Sequence, residues 1–150
     1  MIKCKIYIYK INIFDTPGYF DFVGEVEEAV AAAAGAVIVV SGKAGVEAGT
    51  EKAWELCEKY KLPRMIYVTG MDVDNASFKN VVETLTEMYG KKIAPFHFPI
   101  RENEKFVGYV NVVSETASRW KGKEVEDCDI PDYSKENLEL YRDTLMEAVA

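Results

Sequence analysis

The sequence predicts an α/β fold, in which a mostly parallel, doubly wound sheet is followed by a smaller α+β part. Two observations support the parallel sheet: continuous apolar runs typical of buried strands alternate with segments of helical periodicity, and glycines or prolines mark where they end. A third supports the α+β part. After Gly90 this alternation gives way to two closely spaced strand-like segments and a final helix. We therefore expect one domain over residues 1–92 and the start of another over residues 93–150.

In the first part, strands and helices are expected to alternate. Val23, Val26, Val30 and Ala33 recur at helical spacing, and the run from Ala36 to Ser41 is apolar enough for a strand buried on both faces. The predicted elements are strand-like residues 2–14, a helix over 22–34, a strand over 36–41, a helix over 50–60, a buried strand over 64–68 and a helix over 77–89.

The sequence of the second part predicts fewer and shorter elements. Two strands, over residues 93–100 and 106–113, flank a charged turn at 101–105, and residues 121–129 are expected to form a loop or a short strand. Ser134 is the expected N-cap of a last helix. The apolar stripe of that helix consists of Leu138, Tyr141, Leu145 and Ala148.

Composition and charge exclude several classes of function. The formal net charge of -7 argues against a nucleic-acid-binding surface, which needs a basic stripe. Three cysteines without a C-x-x-C pair are typical of a reducing compartment. The longest apolar run, residues 29–40, is too short to cross a bilayer, and the N-terminus lacks the pattern of a signal peptide. We expect a cytoplasmic protein without a membrane partner.

The most informative motif is Asp15-Thr16-Pro17-Gly18, which follows an apolar strand and precedes a helix. The carboxylate of Asp15 can hold Mg²⁺ or its water, and the backbone N–H of Gly18 can approach a terminal phosphate. The positive end of the following helix favours the same anion. The alternative is a plain turn at the end of a strand, in which Asp15 caps the next helix.

The longer segment around this motif resembles translational GTPases. Residues 15–22, DTPGYFDF, resemble their switch II, and residues 11–72 resemble elongation factor G from the third strand of its G domain to its guanine motif. VGYVNVVSETASRW and DIPDYSKENLELYRDTLMEAVA resemble the start of the subdomain inserted in that G domain. The segments GYFDFVGE and GVEAGTEKAWE resemble the second elongation factor G-like paralogue of bacteria more than the main translocase.

This resemblance implies a fold, ligands and residue roles. It implies a three-layer, P-loop-type G domain over residues 1–92 and part of the inserted subdomain over 93–150. GTP or GDP and Mg²⁺ are the implied ligands, with Asp15 holding Mg²⁺ through water and Gly18 contacting the γ-phosphate. Tyr19 stands where the translocases have a catalytic histidine, and its alternative role is packing or hinge geometry. Thr69 and Asp72 stand in the guanine motif, in which Gly70 replaces a lysine.

The chain lacks the phosphate-binding sequence G-x-x-x-x-G-K-[ST] that such a GTPase needs. Gly-Lys pairs begin at Gly42, Gly90 and Gly122, but neither Ser nor Thr follows any of them. We therefore expect a fragment of a factor that hydrolyses GTP on the ribosome, and expect this chain alone to be inactive. The alternatives are a non-catalytic binding or regulatory module that retains a degenerate G-domain scaffold, and another α/β nucleotide-binding protein.

The absence of that sequence also bears on the sheet. In the family, the strand that carries the P-loop lies between the strand ending at Asp15 and the strand over 36–41. Because unpaired backbone groups in an apolar layer are costly, we expect the two flanking strands to pair directly, residues 2–9 to fill the gap, or two copies to self-associate through their unpaired sheet edges.

Overall fold

The computed structural model describes Thr16, residues 23–103 and residues 105–150. The strand expected over residues 2–14, and with it the expected filling of the sheet next to Asp15, lies outside these residues. The described elements are, in chain order, α1 (Val23–Ala31), β1 (Ala36–Ser41), α2 (Ala48–Lys59), β2 (Arg64–Thr69), α3 (Phe78–Tyr89), a 3₁₀ turn (Gly90–Lys92), β3 (His97–Glu102), β4 (Lys105–Asn111), β5 (Thr116–Lys121), β6 (Glu124–Cys128) and α4 (Asp132–Val149).

These elements form two compact units. One contains the described residues up to Val39 together with Ala48–Tyr67, and the other contains Val40–Glu47 and Val68–Ala150. These units are defined by how compactly their residues pack. The boundary predicted after residue 92 is of another kind, since it separates a G domain from its inserted subdomain, and it stays a prediction. No helix among the described residues is long and apolar enough to cross a membrane.

Strands β1 and β2 are neighbours in a two-stranded sheet and run parallel. The N–H of Ala36 donates to the carbonyl of Pro63 at the start of the strands, and the N–H of Gly42 donates to the carbonyl of Thr69 at their end. From the first bond to the second, the donor and the acceptor both move six residues towards the C-terminus, so the two strands run in the same direction. The predicted β-α-β unit is therefore present, with α2 as its crossover helix.

The expectation that β1 and β2 are buried on both faces is wrong. Side chains on β1 alternate between the two faces of the sheet, so that Ile38 and Val40 are buried while Val37 and Val39 are each 60% exposed. On β2, Met65 and Tyr67 are exposed too. The described residues cover one face of this sheet and leave the other open.

Helix α2 packs through one side. Its buried residues are Thr50, Trp54 and Cys57, and the guanidinium of Arg64 lies 3.9 Å from the centre of the Trp54 ring, at cation–π distance. Trp54 therefore packs, as its position in the sequence indicates. Lys59 pairs with Glu27 of α1 at 2.7 Å, and this hydrogen bond lowers the pKa of the exposed Glu27 carboxyl.

The other unit contains an antiparallel sheet in the order β3-β4-β5-β6. Its hairpins turn at residues with positive φ, namely Asn103 (48°), Glu115 (53°) and Gly122 (65°), as tight hairpins require. The sheet confirms the α+β character of the second part. The strands β3 and β4 extend further into the turn than expected, and β5 was not predicted.

One face of this sheet and two helices enclose the core of the unit. Phe98, Ile100, Val110, Val112 and Ala117 are buried together with Tyr141. Phe78 and Val82 of α3 pack against this cluster, and so do Leu138 and Leu145 of α4. The predicted apolar stripe is therefore confirmed except at Ala148, which is exposed. The expected cap is wrong, because α4 begins after Pro131 and Ser134 lies within its first turn.

Candidate functional site

The carboxyl ends of parallel strands are where open α/β sheets place ligands. Two loops leave these ends here, residues 42–47 after β1 and residues 70–77 after β2, and Gly42 joins them. Its N–H donates to the carbonyl of Thr69 at 2.7 Å, and its carbonyl accepts from the N–H of Ser77 at 2.8 Å. Both loops are therefore held together by main-chain bonds.

This contact has room only for glycine at position 42. A Cβ built there would lie 2.7 Å from the sulfur of Met71, 3.0 Å from the carbonyl oxygen of Thr69 and 3.5 Å from the Cβ of Ala76. Met71 and Ala76 are 5% and 7% exposed. In the sequence, Gly42 was singled out only as part of a Gly-Lys pair, although a glycine directly after an apolar strand is the signal of such a close approach.

Side-chain and main-chain bonds also stabilise each loop internally. The hydroxyl of Ser41 accepts from the N–H of Lys43 and of Ala44, at 3.3 and 3.1 Å. In the other loop, Val73 N–H donates to the carbonyl of Gly70 and Ala76 N–H to that of Val73. Both are short local turns of the kind that Ser and Gly favour.

Of the predicted site residues, only Thr69 and Asp72 lie in the described part of the chain. Asp15, Gly18 and Tyr19 lie outside it, so the structure neither brings them together with the guanine motif nor separates them from it. Their predicted roles stay predictions.

Thr69 and Asp72 differ in their hydrogen bonds to the rest of the protein. The hydroxyl of Thr69 donates to the carbonyl of Val40 at 3.4 Å and so links the two strands. Asp72 is exposed, and its carboxylate has no hydrogen bond or ion pair with another described residue. Gly70 between them has a φ of +66°, the left-handed region that favours glycine.

The donor and acceptor chemistry of this loop fits a guanine base at Asp72. A carboxylate only accepts hydrogen bonds, and the Watson–Crick edge of guanine offers two neighbouring N–H donors. The hydroxyl of Thr69 donates its only proton to the carbonyl of Val40, so it can only accept a hydrogen bond from a base. Among residues 23–103 and 105–150, no group of three His, Cys, Asp or Glu side chains could hold a metal ion.

Comparisons with known proteins agree with this fold. The family model described as "Elongation factor Tu GTP binding domain" matches residues 1–150. A crystal structure of a protein from Thermus thermophilus is similar to this chain with a TM-score of 0.80 and 37% sequence identity. That match covers 89% of this chain and 20% of the other, so this chain spans about a fifth of the solved one.

Proposed function

Since this chain belongs to the elongation factor Tu GTP-binding domain family, we propose that it is part of an elongation factor G-like translation factor that binds and hydrolyses GTP on the ribosome. The family membership confirms the predicted resemblance to translational GTPases, and it implies guanine nucleotide binding in full-length relatives. The assignment to the second elongation factor G-like paralogue and the cytoplasmic location belong to the proposal. They are supported by the sequences of residues 18–25 and 45–55 and by membership of the translational family.

The observation that carries the proposal is the state of Asp72. Its carboxylate is exposed and unpaired among the described residues, on a loop that Gly42 and Met71 fix in place. A group that is to recognise a base must be both available and positioned, and Asp72 meets both conditions without the nucleotide. Thr69 fixes the start of the loop through the hydrogen bond from its hydroxyl to the carbonyl of Val40.

Residues outside the described part complete the proposed site. Asp15 would hold Mg²⁺ through a water molecule, and the N–H of Gly18 would contact the γ-phosphate. When bound, the metal neutralises charge on the phosphate oxygens. Tyr19 would orient the attacking water, since a phenol can hydrogen-bond water but is a poor base near neutral pH.

Base recognition is tested in a protein that carries this chain together with a phosphate-binding loop. Asp72→Ala should weaken GTP by about two orders of magnitude or more, because two hydrogen bonds to a charged group are lost at about 1.5–3 kcal/mol each. ATP should be affected little. Asp74→Ala is the matched control, since it removes another exposed carboxylate from the same loop. Equal losses for GTP and ATP would show that Asp72 does not read the base.

The role of Tyr19 is tested separately by Tyr19→Phe in the same protein. If the hydroxyl orients water, kcat for ribosome-stimulated GTP hydrolysis should fall about 10²–10⁴-fold while GTP affinity is kept. If Tyr19 only packs, the phenylalanine variant should hydrolyse GTP normally.

For the 150-residue chain alone, we propose weak or absent GTP binding and no hydrolysis. In this class of protein the P-loop amides and lysine supply most of the phosphate affinity, and the chain contains no such sequence. Calorimetric titration with GTP and Mg²⁺ tests this point, and a low-micromolar, Mg²⁺-dependent affinity would contradict it.

A second candidate function is a non-catalytic binding or regulatory module. Two observations favour it: the Thr69 hydroxyl is used inside the sheet, and Gly70 has no side chain to cover a base. Multiple-turnover hydrolysis assays with ribosomes and the longer protein distinguish the two functions. The same sample, studied by analytical ultracentrifugation, tests the expected self-association through sheet edges.

A further inference from the structure

A cavity of about 790 Å³ lies within the unit that contains the antiparallel sheet. Its wall includes the first residues of two helices, Ser77 to Lys79 at α3 and Tyr133 and Ser134 at α4. The rings of Phe78, Phe98 and Tyr141 form its apolar side. A volume of this size accommodates a small organic molecule.

Both helices present their N-termini to the cavity. The first N–H groups of a helix have no partner within it, and the helix dipole makes this end positive. Ser77 caps α3 by accepting from the N–H of Asn80 at 3.2 Å, whereas the N-cap of α4 is Pro131, which has no side-chain cap bond. The exposed Asp132 pairs with Lys135. Since the N–H of Ser134 already donates to the carbonyl of Pro131, the donors that this end of α4 retains for an external acceptor are the N–H groups of residues 132 and 133.

Ser134 is a second, independent sign of a ligand. The residue is 2% exposed and lines the cavity. Its N–H donates to the carbonyl of Pro131 at 2.8 Å, whereas no hydrogen bond joins its hydroxyl to another described residue. A hydroxyl in so enclosed a position normally has a hydrogen-bond partner. Its side chain can donate to an acceptor that occupies the cavity.

The charge of the lining indicates the type of ligand. Lys79 and Arg101 are cationic and Asp74 is the one carboxylate among the lining residues, so the wall has a net positive charge in a chain of net charge -7. The guanidinium of Arg101 donates to the carbonyl of Ala76, which orients it at this wall. Positive side chains and two helix N-termini together select an oxyanion.

We propose that this cavity binds a small organic oxyanion, in which a phosphate or carboxylate group is attached to a planar apolar body. The oxyanion accepts hydrogen bonds from Ser134 and from the N-terminus of α4, with Lys79 and Arg101 as counter-charges. The planar body packs against Phe78, the partly buried ring of the wall, as aromatic rings do. This site differs from the proposed guanine site, because it requires neither Thr69 nor Asp72.

The test uses the whole 150-residue chain with phenyl phosphate, benzoate and phenol as probes. Two-dimensional ¹⁵N NMR titration should show saturable shifts of the Lys79, Ser134 and Asn137 amides with at least one of the two anions. Phenol, which has the ring without the anion, should give none at the same concentration. The tighter of the two anions identifies the head group. Absence of saturation by both anions, or equal binding of phenol, would overturn the proposal.

Ser134→Ala tests the donor. It should weaken binding of the anion about 10- to 100-fold, the ratio expected for one hydrogen bond to a charged group. It should leave the thermal midpoint unchanged or higher, because no described residue bonds to the removed hydroxyl. Ser114→Ala, at an exposed serine outside the cavity, should bind like the parent chain. Unchanged affinity in Ser134→Ala would refute the assigned donor.

A second variant keeps the proposal testable if Ser134→Ala does not fold. Lys79 is exposed and has only a long contact to Glu83, at 3.7 Å, so Lys79→Gln should fold normally. It should weaken the anion and reduce the dependence of its affinity on salt. Affinity and salt dependence equal to those of the parent chain would exclude the electrostatic part of the proposal.

Discussion

Replacing Gly42 with alanine should destabilise the unit that contains both loops, with no change in charge or polarity. The added Cβ would meet the Met71 sulfur at 2.7 Å and the Thr69 carbonyl oxygen at 3.0 Å. The sulfur is the movable end of a flexible side chain. The carbonyl is main chain and accepts the N–H of Gly42 itself, so it cannot move away without weakening that bond.

The expected loss is about 1–3 kcal/mol of unfolding free energy, the usual range for an extra methyl group in a packed site. The φ of Gly42 is not in the left-handed region, so backbone strain adds nothing and the loss is steric. For a chain of this length, each kcal/mol lowers the thermal midpoint by roughly 2–4 °C. The midpoint should therefore fall by about 2–12 °C.

Gly49→Ala is the matched control, since it makes the same substitution in α2, where a new Cβ has no atom within 4 Å. It should leave stability unchanged or raise it by up to about 1 kcal/mol. Urea unfolding, followed by circular dichroism, measures both variants. If Gly42→Ala unfolds at the same urea concentration as Gly49→Ala, the close approach of the two loops does not exist in solution.

Three further predictions follow from single positions. Gly108→Ala should cost more than about 3 kcal/mol, because its Cβ would lie 2.2 Å from the main-chain oxygen of Ser118; a urea midpoint near that of the parent chain would contradict this. Gly70→Lys should lower stability by about 1–2 kcal/mol, since Gly70 has a φ of +66°, and an unchanged thermal midpoint would show that the loop adopts another conformation. His97 is exposed, but partial desolvation beside the rings of Phe96 and Tyr109 lowers its pKa, so the folded chain binds this proton less tightly than the unfolded chain. The contribution of His97 to the free energy of unfolding is thus complete above the ordinary histidine pKa of about 6.5 and is lost as the pH falls below it. The difference in urea midpoint between the parent chain and His97→Gln should shrink from pH 7.5 to pH 5.5, and a constant difference would contradict this.

The boundaries that the sequence predicted best are those set by local chemistry. The strand over residues 36–41 was confirmed at both ends, because glycines on either side interrupt a continuous apolar run. Helix α3 was confirmed from its Ser77 cap, whose hydroxyl accepts from the N–H of Asn80, to Gly90, which has a φ of 65°. Both signals act within a few residues of the chain, so they are visible in the sequence.

The errors concern features that tertiary contacts decide. An apolar run does not show whether a second layer covers its other face, and Val37 and Val39 are exposed for that reason. Strand β5, with Arg119 and Lys121 among its six residues, has little apolar alternation. It is held by pairing with β4 and β6 on both sides, and pairing partners are not read from a segment alone.

The candidate site was predictable only in part, for a similar reason. Asp72 was predicted through the family motif, because a base-reading carboxylate has to follow a strand at a fixed spacing. Gly42 was not, because the constraint on it comes from Met71 and Thr69, which are distant in sequence. The oxyanion cavity joins residues from 74 to 141, and its key residue, Ser134, was first interpreted as a helix cap.

The four residues Thr69 to Asp72 divide support and recognition between them. Thr69 bonds to Val40, and the buried Met71 fills the space beside Gly42. Gly70 supplies the left-handed turn between these two anchors, and only Asp72 is left facing solvent. A loop anchored in this way does not need the nucleotide in order to take its shape, so binding does not have to supply the ordering entropy of the loop. In the proposed function, the replacement of the family's lysine by Gly70 therefore removes cover from the base, while it preserves the geometry of the carboxylate that is proposed to read it.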